Sequence, residues 1–226
     1  DLLNGGDKTW GEEPPYRRLG HSALEAAGAT FALGSAGAGA GATTASLKGG
    51  LGSASVRLDD GITVAALAAV NAVGQATIGD SPHFWAAAFE VGREFGGLGL
   101  PRTFPAGATK LVHKAPPRAG QSTTIAVVAT DAPLTKAEAK RLAVMAHDGF
   151  ARALWPAHTP FDGDIVFALA TGQARADRPV DMVEIGSAGA ACAARAIARG
   201  VYEATPAADD RLPTWRQLVA GRLPIR

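Results

Sequence analysis

The chain has 226 residues, 47% of them hydrophobic and 19% charged, with a formal net charge of +1. That is enough apolar side chain for a full core and too much for a disordered chain. A balance so close to neutral offers no electrostatic case for nucleic acid or an anionic membrane. The single cysteine, Cys192, cannot form an internal disulfide, so nothing points to an oxidising compartment.

No stretch is long and apolar enough to span a bilayer, and "DLLNGGDKTW" is not a signal peptide. Both absences imply a cytoplasmic location. Glycine is abundant (28 residues) and aromatics make up only 6%, so layers of structure have to approach closely.

Residues 1–20 are polar and rich in Gly and Pro and read as loop, and "HSALEAAGATF" reads as a short helix. Residues 34–50 form a glycine-rich loop. In "SASVRLDD" Ala54, Val56 and Leu58 alternate with Ser53, Ser55 and Arg57, the period of a half-buried strand. Asp59-Asp60-Gly61 is turn chemistry before a second apolar run that ends at Asn71, so a β-hairpin is expected. Residues 75–120 have weak periodicity and read as an extended surface segment.

A strand is expected over Thr124–Thr130. In the helix that follows, "LTKAEAKRLAVMAHDGFARAL", Thr135 and Glu138 form a capping box. Its apolar face is Ala139, Leu142, Ala143, Ala146, Phe150 and Ala153. The loop "PAHTPFDGD", the strand "IVFALAT" and the small-residue helix "GSAGAACAARAIARGVYEA" complete the order. A layered α/β or α+β fold in one domain, residues 1–226, fits this order.

Several residues invite chemistry. Lys48 is followed by Gly49 rather than Ser or Thr, so the glycine-rich loop is not a phosphate loop. Lys48 is then either a solvated tip or a partly buried lysine with a lowered pKa beside a nucleophile. Asn71 is either a core residue satisfying backbone groups or an oxyanion donor. By composition Asp162 and Asp164 are turn residues, and they do not complete a calcium loop. His21, His83, His113, His147 and His158 lack metal-ligand spacing. Ser122, Thr123 and Thr124 follow the loop "KAPPRAG" and open a buried strand. They are ordinary strand-start residues, or one of them is a nucleophile.

The segments "ATTASLKGGLGSASV", "AALAAVNAVG", "STTIAVVATDAPLTKAEAKRLAVMAHDGFARAL" and "PAHTPFDGDIVFALATG" together resemble the DmpA-type peptidase family. That family comprises L-aminopeptidases/D-esterases, β-peptidyl aminopeptidases and nylon-oligomer (6-aminohexanoate) endo-hydrolases. The resemblance implies an α+β fold, an αββα sandwich like that of N-terminal nucleophile hydrolases, with its amino-terminal portion missing here. It also implies a precursor that cuts itself between Ser122 and Thr123, leaving an α part of 1–122 and a β part of 123–226. Thr123 would be the nucleophile, and Lys48, Asn71, Asp162 and Asp164 fall on supporting positions. The expected substrates are peptides, β-peptide-like amides or oligoamides; the state is a homo-oligomer, and no cofactor or metal is implied. Ser122 stands where the family commonly has Asn or Gly, and Asp162-Gly163-Asp164 is closer to the nylon-oligomer branch. The competing class is an unprocessed relative that does not cut.

Overall fold

The structure is a computed structural model that describes residues 9–112, 114, 122–174 and 179–221. Its centre is a four-stranded sheet, β1 (Gly50–Arg57), β2 (Thr63–Val70), β3 (Ile125–Thr130) and β4 (Ile165–Ala170), in that spatial order. β1–β2 and β2–β3 are antiparallel and β3–β4 is parallel. The expected hairpin is present, with Gly61 at a φ of 89° and the Asp60 carboxylate accepting from the Ile62 N–H at 3.0 Å. A positive φ is why glycine stands in that turn.

One face of the sheet carries Ala54, Val64, Ala66, Ala68, Val70, Ala126, Val128 and Val166, all buried. The long helix Met182–Tyr202 lies across it, packed on β1 and β2. Helix and strand meet at backbone distance: a Cβ on Gly52 would stand 1.9 Å from the Ala196 carbonyl oxygen. The close layering expected from the small-residue composition is therefore literal. On the opposite face Ile125, Phe167 and Leu169 are each about half exposed (49%, 53% and 57%). The described residues thus supply one sheet and one helical layer.

In chain order the α-helices are α1 (Tyr16–Glu25), α2 (Lys136–Ala146), α3 (Asp148–Ala153), α4 (Met182–Tyr202) and α5 (Trp215–Ala220). α1 begins five residues before the expected "HSALEAAGATF" and buries no residue. The helix expected after β3 is two helices that meet at His147. Its capping box at Thr135 and Glu138 is formed, and Leu142, Ala146, Phe150 and Ala153 are buried as the periodicity required. α4 starts four residues earlier than its sequence signal, because the Asp181 carboxylate caps the Val183 and Glu184 N–H groups.

The surface segment expected over 75–120 is corrected over 75–90 and at Phe95, which pack into the core, while most of 97–112 is exposed as expected. Ala76, Ile78, Phe84, Ala86 and Phe95 are buried, and Phe84 packs on Phe95 and Trp215. The Glu94 carboxylate pairs with buried Arg195 of α4 at 2.5 Å. The segment enters the core through irregular backbone, which gives no period to read.

Candidate active site

The residues singled out above gather at one end of the sheet. Lys48 precedes β1, Asn71 follows β2, Ser122 and Thr123 precede β3, and Asp162 and Asp164 precede β4. Because β2 runs antiparallel to β3, and β3 parallel to β4, the exit of β2 and the entries of β3 and β4 share an end.

The Ser122–Thr123 peptide is held on both sides. The Thr123 N–H donates to the Asn71 carbonyl oxygen at 2.8 Å. The Ser122 carbonyl oxygen accepts from the Thr123 hydroxyl at 2.7 Å and from the Gly163 N–H at 2.9 Å. Gly163 makes this approach possible without displacement, since a Cβ there would stand 2.7 Å from Thr123 Oγ1. Ser122 is buried and Thr123 is partly exposed. Thr124 is fully buried, and its hydroxyl has no hydrogen-bond partner.

Asp162 ties the turn before β4 to the chain leaving β2. Its carboxylate accepts from the Val73 N–H at 2.9 Å and from the Thr159 N–H and hydroxyl at 2.9 and 2.7 Å. Asp164 accepts from the Thr124 N–H at 2.8 Å and from His158 Nδ1 at 2.8 Å. Burial pushes the Asp164 carboxyl up from the ordinary carboxylate range; the Thr124 N–H and His158 pull it back.

Lys48 is no solvated tip. It is 2% exposed, and its ammonium lies 2.7 and 2.6 Å from the two carboxylate oxygens of Asp210. Asp210 was not legible as a site residue, since it lies 162 residues away in a polar loop. Nor was Lys114, which opens the "KAPPRAG" loop. It is 4% exposed and donates to Asn71 Oδ1 at 2.5 Å; the Thr43 N–H donates to the same oxygen at 3.1 Å. Burial pulls the Lys114 ammonium down to about 7, against the opposing charge of Asp162. The rest of that loop, 115–121, and His113 lie outside the described residues.

No group of three or more His, Cys, Asp or Glu could hold a metal among the described residues, and no described helix is long and apolar enough to cross a membrane. Chemically, the arrangement puts a hydroxyl and a main-chain N–H on one carbonyl oxygen, with titratable groups close by. Such a constellation suits nucleophilic attack on an amide.

The model of peptidase family S58 matches residues 15–211. An uncharacterized aminopeptidase of Mycobacterium tuberculosis (strain ATCC 25618 / H37Rv) is 40% identical over 221 residues, covering 92% of this chain and 62% of its own length. One of Mycobacterium leprae (strain TN) is 38% identical, covering 92% and 60%. Among solved structures, a Burkholderia sp. beta-aminopeptidase superposes with a TM-score of 0.58 at 25% identity, over 88% of this chain and 56% of that one. The L-aminopeptidase D-ala-esterase/amidase of Ochrobactrum anthropi, a variant of the Ntn hydrolase fold, gives 0.57 at 23%, over 90% and 57%. The fold is thus α+β of the Ntn hydrolase kind, and the chain spans about 60% of the length of the curated relatives it matches.

Proposed function

Because the chain belongs to peptidase family S58, we propose that it is a self-processing amide hydrolase of aminopeptidase type with Thr123 as its nucleophile. The observation that carries this reading is the Thr123 hydroxyl lying 2.7 Å from the Ser122 carbonyl oxygen while the Gly163 N–H lies 2.9 Å from the same atom.

In the precursor, Thr123 Oγ attacks the Ser122 carbonyl carbon, and negative charge grows on the oxygen that the Gly163 N–H faces. The Ser122–Thr123 C–N bond breaks, the hydroxyl proton ends on the departing nitrogen, and an ester joins Ser122 to Thr123 Oγ. Water hydrolyses that ester, leaving a carboxylate on Ser122 and a free amino terminus on Thr123. The new α-amine, with a reference pKa of about 8, is the base that a threonine hydroxyl lacks inside a chain. Substrate amides then pass through the same ester on Thr123. Asn71 and Asp164 hold the main chain on either side of the nucleophile, and Lys48 lies at the same end of the sheet with its charge paired to Asp210.

Residues 1–122 and 123–226 become two chains of one fold unit, and substrates are peptides or β-peptide-like amides. Homo-oligomers are expected. Intact-mass analysis of the full-length protein after long incubation tests the reading. Two chains divided between Ser122 and Thr123 are expected, with one uncut chain for Thr123→Ala. A parent protein that stays whole and hydrolyses no amide would rule it out. An amino-blocked oligoamide that is cut as fast as the free one would shift the reading to an endo-acting oligoamide hydrolase.

A further inference from the structure

The loop before β4 contains a feature that the proposed reaction does not use. His158 has a φ of 52°, in the left-handed region, and it is the non-glycine residue with a positive φ among those described. This is a backbone state that L side chains seldom adopt unless something fixes them there. Its ring is held on three sides. It stacks on Phe150 of α3 at 5.1 Å between centroids, meets the His147 ring edge-on at 5.0 Å, and turns Nδ1 toward Asp164 Oδ2 at 2.8 Å. His158 Nε2 lies 3.4 Å from His147 Nδ1. Asp164 faces inward, its side chain 3% exposed against 38% for His158, and its other oxygen holds the Thr124 N–H.

The line His147–His158–Asp164–Thr124 therefore runs from the α2–α3 junction to the residue after the nucleophile. We propose that His158 is a positioning residue for the Thr123 site: its Nδ1–H, and its charge when protonated, hold the Asp164 carboxylate, and Asp164 holds the start of β3 where Thr123 meets the Ser122 carbonyl. The inference rests on Thr123 being the nucleophile.

Among the described residues, two elements bring charged or titratable groups to this pair. Asp162 lies on the same turn and adds negative charge that disfavours ionised Asp164. His147 faces it from the helix junction, with Asp148 acting on His147. His147 is itself held below the ordinary imidazole range, by burial and then by His158, so it competes poorly for a proton. Asp164 is already raised by burial. Taking away the attraction and the hydrogen bond of His158 leaves burial and Asp162 less opposed, so the carboxyl rises further. Where ionised Asp164 is needed, activity lost on acidification is then lost at a higher pH.

Two variants separate charge from position. His158→Asn tolerates the left-handed backbone and places an amide N–H near the position of Nδ1, without the charge. His158→Gly also accepts the backbone and removes the side chain. Both are made in the full-length protein and measured for self-cleavage, for amide turnover against pH, and for Asp164 carboxyl titration by 13C NMR. For His158→Asn a plateau rate close to the parent's is expected, with the acid limb and the Asp164 titration both moved to higher pH. For His158→Gly the plateau kcat should fall by about 100-fold with KM little changed, the scale of losing alignment by an ångström. A His158→Asn profile that superposes on the parent's, or a His158→Gly protein of parental kcat, overturns the inference. The NMR titration needs no activity. If the parent proves inert, Thr123 fails as the nucleophile, while an Asp164 titration unmoved by His158→Asn sinks the present inference separately.

Discussion

Thr123 donates its hydroxyl proton to the carbonyl oxygen of the residue directly before it, Ser122, at 2.7 Å. A side chain can reach its own preceding carbonyl only when the main chain is turned for it. Here the turn is enforced by Asn71 on the Thr123 N–H and Gly163 on the Ser122 oxygen. The next residue along has no such geometry. Thr124 points into the core with its hydroxyl unpartnered. Thr123→Ser should therefore keep self-cleavage, since it keeps the oxygen. Thr124→Val should keep cleavage too and raise stability by about 1 kcal/mol, because it removes a buried polar atom that has no partner. Denaturant unfolding and mass analysis of the two variants read both effects, and loss of cleavage in Thr124→Val would mean that the nucleophile is the wrong one of the two threonines.

Gly163 offers a sharper test of the same contact. Its backbone is not in the left-handed region, so Gly163→Ala carries no intrinsic strain. The added methyl would nevertheless lie 2.7 Å from Thr123 Oγ1, and one of the two must move. Self-cleavage should slow by about 100-fold or more, with the far-ultraviolet circular dichroism of the parent. Parental cleavage kinetics in Gly163→Ala would show that the hydroxyl does not act from the position seen here.

Much of this was readable before any coordinates. The hairpin, the capping box at Thr135 and Glu138, and the buried face of Leu142, Ala146, Phe150 and Ala153 follow from local rules that tertiary context did not override. The burial of 75–95 leaves no sequence period, because Phe84, Phe95 and the Glu94 partner of Arg195 sit on irregular backbone. The resemblance brought Lys48, Asn71, Ser122, Thr123, Asp162 and Asp164 together, and the structure sets them at one end of the sheet. It could not supply their partners. Asp210, Lys114 and His158 are joined to those residues by packing between segments remote in sequence or by one unusual φ, and neither leaves a local mark. Gly163 was visible only as a letter between two aspartates. Its main-chain N–H is a site group with no side chain to notice.

Lys48 and Asp210 form a pair whose members are 2% and 10% exposed. A buried ion pair contributes little net stability over an apolar pair, but removing one member strands the other charge. Asp210→Ala should cost about 3–5 kcal/mol, while the double change Lys48→Met with Asp210→Leu should recover most of that stability and still lose turnover. A double-mutant cycle by denaturant unfolding gives the coupling. Additive losses would place the two charges apart in solution.

Lys114 gives the protein a signature in its pH dependence. Its ammonium is drawn down from the ordinary lysine value of 10.5 to about 7 by burial. Between those two values the unfolded chain carries a proton on Lys114 that the folded chain does not. Stability therefore rises with pH across that window, and the contribution disappears as pH falls through about 7, where the buried amine must charge. The slope from this one group is at most about 1.4 kcal/mol per pH unit. Lys114→Met should flatten it and raise stability near pH 6, where the parent holds a buried charge against Asn71 Oδ1. The measurement is urea unfolding from pH 6 to pH 10 in the uncut Thr123→Ala background, with and without Lys114→Met, so that the loop stays joined to Thr123 throughout. Identical slopes in the two proteins would put Lys114 in solvent and remove it from the Asn71 side chain.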